Sequence, residues 1–259
     1  MSRVQLKVTL VRHTLSPEEL VALSARLCYS RATVSDLEER ISSGDQTAFI
    51  ERVMQMGHES VLEHAVFTFA VEGVSRVLLA QLTRHRLASF SVQSQRYVSY
   101  ADGFNYILPP QIAALGEEAA AEFDRQMAQI HRWYTGWQDK LAAGEHGNED
   151  ARFVLPGACE TRLIVTMNAR ELRHFFSLRM CNRAQWEIRA LAAQMHRLCM
   201  ETAPLLFRDA GPACLRGGCP EGKKTCGRAA EIRRERQEWL DRLSRGEKDS
   251  EAEDVSAEN

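Results

Sequence analysis

Alternating apolar positions mark three segments of the chain as strands. Residues 4–11 (VQLKVTLV) alternate between polar and apolar side chains and are rich in β-branched residues, which is typical of a half-buried strand. Alternation is also clear in 65–71 (AVFTFAV), and 161–168 (TRLIVTMN) has the same composition. The pattern predicts a small sheet.

Most other segments have apolar residues at helical spacing. The sequence SPEE at 16–19 predicts a helix that begins with Ser16 as its N-cap and continues to about Cys28. Another helix is predicted within 44–57, ended by Gly57. Further helices are predicted over 74–87, 111–143, 148–155, 168–180 and 184–207. The polar segment 84–100 is predicted to be an ordered loop, and GEHGNED at 144–150 is predicted to interrupt helix.

These elements predict an α+β fold with a small mixed or antiparallel sheet and several long helices. The composition changes late in the chain, which predicts three regions. Residues 1–215 form the main domain, 216–245 form a cysteine-containing turn with an appended helix, and 246–259 form a disordered acidic tail.

Overall charge excludes a general attraction to polyanions. The formal net charge is −2 and the hydrophobic fraction is 44%, which describes an ordinary globular protein. We therefore expect no nucleic-acid partner, and any phosphate binding must be local. No apolar run approaches the roughly 20 residues of a membrane span, so the predicted protein has no membrane partner and is cytoplasmic.

Cationic side chains cluster at one place in the sequence. Arg-His-Arg at 84–86 is followed by Ser94 and Arg96, and Gln81 lies one helical turn before Arg84. Such a group suits a phosphate, and an amide beside a guanidinium suits a nucleotide. The alternative is a solvated, arginine-rich helix end followed by a serine loop.

The same residues carry a resemblance to a known family. RHR at 84–86, then seven residues, then Ser94 with Arg96-Tyr97 beyond it, resembles the signature of flavin-dependent thymidylate synthases. GHESVLEHAVFTF at 57–69 is similar to the family segment before that signature. The blocks RFVLP, NAR, LR and AQWEI follow in the family's order, so the similarity extends over roughly residues 20–200.

The resemblance implies a reaction and its cofactors. It implies the reductive methylation of dUMP to dTMP in dTMP biosynthesis, with methylenetetrahydrofolate as one-carbon donor and FADH2, regenerated by NADPH, as hydride source. It also implies that 1–215 is the catalytic domain. Finally, it implies a homotetramer in which several chains build each active site and FAD lies between subunits.

The resemblance also implies a set of site residues. The dUMP-binding residues would be Gln81, Arg84, Ser94, Gln95, Arg96, Arg152 and Arg179. The FAD-binding residues would be His58, Ser60, Arg84, His85, Arg86, Asn168, Arg170 and His174. Arg179 is expected to be catalytic, because a permanently charged guanidinium can stabilise negative charge developing on the uracil ring.

This chain departs from the family pattern at three positions. Ser60 replaces a common threonine and keeps its hydroxyl, whereas His174 stands where an asparagine can occur. Val92 occupies a position where other members carry glutamate, so any ligand contact made there by a carboxylate is absent.

Two other functions are alternatives to the thymidylate synthase reaction. A nucleotide- or RNA-binding module without catalysis would use the arginines with Tyr97 and Tyr100. A metal-dependent hydrolase would use His58 and His64, but their spacing does not place two imidazoles on one helical face, so no metal is predicted in the active site. Ser94 is predicted to bind and not to act as a nucleophile.

Seven cysteines are present, an odd number. Cys28, Cys159, Cys181 and Cys199 stand singly and are expected to be small buried hydrophobes. Cys214, Cys219 and Cys226 cluster with four and six intervening residues. They are one ligand short of a tetrahedral zinc site, with Cys28 or a histidine as possible fourth ligand; the alternative is reduced cysteines in a packed tail.

Overall fold

The computed structural model describes residues 1–141 and 144–245. The predicted acidic tail at 246–259 lies outside these residues. The strands are β1 (Lys7–His13), β2 (Val66–Ser75), β3 (Ala88–Val92) and β4 (Glu160–Asn168). The helices are α1 (Pro17–Leu27), α2 (Val34–Ser42), α3 (Thr47–Gln55), α4 (Arg76–Leu82), α5 (Pro110–Ala113), α6 (Glu117–Gln138), α7 (Glu145–Ala151), α8 (Ala169–Arg179), α9 (Trp186–Thr202), α10 (Pro204–Phe207) and α11 (Ala229–Ser244). No helix in these ranges is both long and apolar enough to cross a membrane.

The four strands form one antiparallel sheet in the order β1-β2-β4-β3. Val66, the first residue of β2, pairs with Asn168, the last residue of β4. Ala88, the first residue of β3, pairs with Met167. Two strands therefore begin where β4 ends. The predicted α+β class with a small antiparallel sheet is confirmed.

The main core lies between one face of this sheet and the helices. Phe67 and Phe69 of β2 are fully buried, as the alternation of that segment predicts. They belong to one apolar cluster with Phe176 of α8, Met195 of α9 and Phe207 of α10. The ring of Phe207 lies edge-on to that of Phe67, with 5.4 Å between centroids. The core therefore joins the central strand to three helices that follow β4.

Residues 88–92 correct the loop predicted over 84–100. They form β3, paired along its whole length with β4. Ala88, Phe90 and Val92 turn towards the core, whereas Ser89 and Ser91 are exposed. The alternation has the period of a strand, but the serines gave the segment a loop-like composition. Val92 is half-buried against the core. It occupies the position where other members of the resembled family carry glutamate.

Three local predictions also differ from the structure. Ser16 adopts a left-handed conformation (φ 42°) and makes no capping hydrogen bond, although α1 begins where predicted. The break predicted at GEHGNED lies further upstream, because α6 ends at Gln138 and α7 begins at Glu145. Helix α2 was not predicted, yet Thr33 and Asp36 form a reciprocal capping box at its start.

The C-terminal helix is docked on the main core. Trp239 of α11 packs on that core, and its ring centroid lies 5.8 Å from that of the buried His196. Arg236 donates a hydrogen bond to the Ala210 carbonyl. Burial lowers the pKa of Arg236 to about 10. The division between 1–215 and 216–245 stays a prediction.

A buried carboxylate joins the sheet to α9. Glu187 accepts hydrogen bonds from the backbone N–H and the hydroxyl of Ser75, both at 2.6 Å. Burial raises the pKa of Glu187, and these two bonds oppose the rise. The Ser75 hydroxyl also accepts from the Leu78 N–H and so caps α4. Ser75 thus fixes the start of α4 against α9.

Replacing Ser75 with alanine is expected to lower the free energy of unfolding by about 1–3 kcal/mol, because Glu187 loses a buried donor. Urea denaturation followed by circular dichroism measures this, with Ser91→Ala, an exposed serine of β3, as the matched control. Equal losses in the two variants would contradict the role given to Ser75.

Candidate active site

A chain of three ionisable side chains, two of them buried, lies where β2 and β3 begin and β4 ends. We call this place the α8 end of the sheet. The Nδ1 atom of His85 is 3.0 Å from a carboxylate oxygen of Glu171. Its other ring nitrogen, Nε2, is 3.0 Å from Nε of Arg179. The Glu171 and His85 side chains are only 6% and 4% exposed. Segment 84–86 and helix α8 are therefore linked through a single imidazole.

The contacts determine the tautomer of His85. The Nε–H of Arg179 can only donate, so Nε2 must accept and Nδ1–H must donate to Glu171. Burial lowers the pKa of His85; Glu171 opposes the shift, and the positive charge of Arg179 adds to it. A neutral imidazole is therefore favoured between the carboxylate and the guanidinium.

The guanidinium of Arg179 is positioned by hydrogen bonds, but these bonds do not use all of its donor groups. Nη2 lies 3.4 Å from the Gln81 carbonyl, and Nη1 has no hydrogen-bond partner within the described parts of the chain. Burial lowers the pKa of Arg179, and the charge of Arg84 adds to this. Arg179 therefore presents a fixed donor to a ligand, with Arg84 nearby.

Several residues predicted to bind FAD meet at the same end of the sheet. Asn168 caps α8 by accepting from the Glu171 N–H at 2.8 Å. Arg170 pairs with Glu63 at 2.5 Å, which brings α8 against the 3-10 turn of residues 59–64. The ring of His174 lies 6.1 Å from that of His85. His58, Ser60, Arg84, Arg86, Arg170 and His174 are exposed, whereas His85 is buried.

Residues predicted to hold dUMP fall into two separate groups. Gln81, Arg84 and Arg179 lie at the α8 end. Ser94 and Arg96 follow β3, at the opposite end of that strand, which we call the α7 end.

Helix α7 connects the residues of the α7 end. Arg96 donates to Glu145 through Nε at 2.6 Å and lies 3.8 Å from a carboxylate oxygen of Glu149. Arg152 donates to the Glu149 carbonyl at 3.1 Å. The Ser94 hydroxyl accepts from the Arg96 N–H at 3.2 Å, so it stabilises the turn. Both arginines therefore contact α7, Arg96 through its glutamates and Arg152 as the residue that follows the helix.

Gln95 has a different environment from its neighbours. It is only 8% exposed, and its side-chain amide is 3.7 Å from the sulfur of the buried Cys159. Its side chain faces the interior in this structure, so its assignment to dUMP stays a prediction.

Comparison with known proteins identifies the family. The sequence model of the family described as thymidylate synthase complementing protein matches residues 9–205. A flavin-dependent thymidylate synthase of Geobacter sulfurreducens is 53% identical over 230 residues, which cover 88% of this chain and 97% of that relative. The chain belongs to the flavin-dependent thymidylate synthase family.

Two further similarities support this membership of the flavin-dependent thymidylate synthase family. A flavin-dependent thymidylate synthase of Clostridium tetani is 44% identical over 239 residues, covering 88% of this chain and 96% of the relative. The crystal structure of a UMP/dUMP methylase, PolB, from Streptomyces cacaoi bound with 5-Br dUMP has a TM-score of 0.62 and 26% identity; the match covers 80% of this chain and 94% of that one. The resemblance drawn from the RHR signature is confirmed.

Sequence reasoning missed the acidic residues of this flavin-dependent thymidylate synthase site. Glu171 orients His85, and Glu145 and Glu149 engage Arg96. Helix periodicity offers one signal for Glu171, because it lies on the face of α8 that also holds the buried Leu172 and Phe175. No comparable signal marks Glu145 or Glu149, which are only partly buried.

Acidification is expected to reduce the stability advantage of wild type over His85→Gln. In the folded state the pKa of His85 is depressed, so the unfolded chain takes up the proton first as pH falls below about 6.5. The stability held by neutral His85 is therefore present above that pH and is lost below it. Denaturation of both proteins at about pH 8 and about pH 5.5 measures the difference. If the difference in unfolding free energy between wild type and His85→Gln stays constant or widens at the lower pH, His85 is not a neutral imidazole in the folded state.

Proposed function

We propose that this chain catalyses the reductive methylation of dUMP to dTMP with Arg179 as its catalytic residue. The proposal rests on its membership of the flavin-dependent thymidylate synthase family. Methylenetetrahydrofolate is then the one-carbon donor, and NADPH regenerates the reduced FAD. One observation carries the assignment to this chain's own residues: Arg179 donates to His85, while its Nη1 has no hydrogen-bond partner among residues 1–141 and 144–245.

Arg179 would act on the uracil ring. Carbon C5 of uracil is a poor nucleophile, and it can attack the one-carbon unit when the ring carries negative charge that is shared between C5 and the polar atoms N3 and O4. A guanidinium that donates to those atoms stabilises the charge as it develops. Because His85 and Glu171 hold Arg179 before substrate arrives, little reorganisation is needed during the reaction.

The exposed cations at the α8 end suit FAD. Arg84 and Arg86 have no carboxylate partner within 1–141 and 144–245, so both are available to an anionic diphosphate. His58, Ser60 and His174 add exposed polar groups at the same end. Reduced FAD supplies, when bound, the hydride that converts the transferred methylene group into a methyl group.

The separation of the two dUMP groups supports a site shared between chains. Strand β3 spans about 13 Å from Ala88 to Val92 at the usual rise per residue, and Arg96 lies beyond its end. We therefore assign the uracil to Arg179 of one chain, and the phosphate to Arg96 and Arg152 of another. The same arrangement underlies the proposed homotetramer. Phosphate binding would then exchange the Glu145 carboxylate at Arg96 for a phosphate oxygen.

Two arginine variants are expected to differ in the ligands that they lose. Arg179→Ala should reduce turnover by about 100-fold or more while FAD binding is preserved, because this arginine is assigned to uracil alone. Arg84→Ala should weaken the affinities for both dUMP and FAD by about tenfold, because Arg84 is assigned to both binding sites. Flavin fluorescence titration, dUMP calorimetry and dTMP formation measure these effects.

Arg197→Ala is the matched control for both variants. Arg197 is a comparably exposed arginine on α9 that pairs with Glu201. Unchanged turnover in Arg179→Ala would exclude Arg179 from the mechanism. Normal binding of both ligands by Arg84→Ala would overturn the assignment of Arg84 to both binding sites.

Mixed oligomers test the division of the site between chains. Arg96→Ala and Arg179→Ala should each be inactive alone, whereas co-expression should restore about a quarter of the wild-type sites if pairing is random. The restored sites would combine Arg179 of one variant with Arg96 of the other. Isolation of the mixed oligomer with two affinity tags precedes the assay. An inactive mixed oligomer would place both arginines of a site in the same chain.

A further inference from the structure

Four cysteines from two distant segments line one cleft beside the main core. Cys181 lies in the loop after α8, and Cys214 lies in a 3-10 turn at residues 213–215. Cys219 and Cys226 follow in the segment that leads to α11. All four are free thiols and all four line the same cleft. The sequence cluster of three cysteines therefore acquires Cys181 as its fourth member.

Contacts across the cleft support this grouping. Cys214 is buried, and Cys181 and Cys219 are partly buried in the lining of the same cleft. The Nδ2 atom of Asn182, the residue after Cys181, is 3.9 Å from the sulfur of Cys226. By contrast Cys28, considered above as a fourth ligand, is exposed and lies 3.5 Å from the Ser24 carbonyl.

The segment that carries these cysteines has little apolar packing of its own. Every residue from 220 to 228 is exposed, and Cys219 is only partly buried. Yet the segment contains a 3-10 turn at Gly222–Lys224, and Gly222 and Gly227 adopt positive φ angles. Hydrophobic burial contributes little free energy to the ordering of such a segment, and a cross-link would contribute more.

We propose that Cys181, Cys214, Cys219 and Cys226 bind one structural zinc ion. Four thiolates complete the tetrahedral ligand set that zinc prefers, with no open position for catalysis. Binding forms four zinc–sulfur bonds and releases four thiol protons to solvent. Arg183 and Glu221 both line the cleft, and Arg228 lies close enough to interact with Cys226, so two arginines can offset part of the negative charge of the resulting centre.

The thiols need to turn inward to bind the ion. In the described ranges, no group of three or more His, Cys, Asp or Glu side chains is already arranged to hold a metal. Exposed turns carry Cys219 and Cys226, so their side chains can move without disturbing the main core. Zinc would then fix Cys181, two residues after Arg179, to the segment preceding α11.

Metal content of the full-length protein tests the proposal. Protein expressed with added zinc and passed through a desalting column is analysed by mass spectrometry for zinc and iron. Wild type and Cys28→Ser should contain about one zinc per chain, as expected for a single closed site. Cys226→Ser and Cys219→Ser should lose most of it. The proposal is overturned if the wild-type protein contains no zinc or contains iron instead of zinc. It is also overturned if Cys226→Ser and Cys219→Ser both retain full zinc.

A second measurement needs no variant, so it covers the case in which the substituted chains do not fold. X-ray absorption at the zinc edge of the wild-type protein should give four sulfur neighbours at about 2.3 Å. Nitrogen or oxygen neighbours at about 2.0 Å would identify an adventitious ion only, and would overturn the proposal.

Discussion

The antiparallel pairing of β2 and β3 with β4 brings the predicted site residues together at the α8 end. Val66 pairs with Asn168, so the 3-10 turn before β2 and the start of α8 lie side by side. Ala88 pairs with Met167, which brings the Arg-His-Arg segment to the same place. A shift of one residue in this register would turn each strand's buried face outward and separate these groups. The hydrophobic core and the site therefore depend on the same register.

The hydrogen-bonded side chains of Glu171 and His85 then fix the orientation of Arg179 at this end of the sheet. Glu171 and His85 are buried, and an unpaired charge in such a place is costly. The cost is offset because each polar hydrogen has a partner: His85 donates to Glu171 and accepts from Arg179. A surface arginine would sample many rotamers, whereas Arg179 is held by His85, and its Nη1 has no partner in the part of the chain that the structure describes. This arrangement is consistent with the catalytic role proposed for Arg179.

The two ends of the sheet have contrasting electrostatic arrangements. At the α8 end, Arg84 and Arg86 are exposed without carboxylate partners in the described ranges. At the α7 end, Arg96 is engaged by Glu145 and lies near Glu149. The α8 end therefore presents cations that are unpaired within the described residues, whereas the cation of the α7 end is already paired with carboxylates. This contrast fits the proposed site between chains, because neither end alone contains both the proposed uracil donor and the proposed phosphate cations.

Local patterns were enough to predict β2, β4, α8 and the family, because period-two and helical alternation and the RHR signature are encoded by nearby residues. The cationic cluster at 84–86 was equally evident. By contrast, β3 was missed because its serines resemble a loop until β4 supplies a partner strand. Glu171 and Cys181 acquired their roles only when the chain folded, since their partners are His85 and the cysteines from Cys214 onward. Burial, tautomer and ligand grouping depend on contacts between distant residues, and these are properties of the tertiary structure.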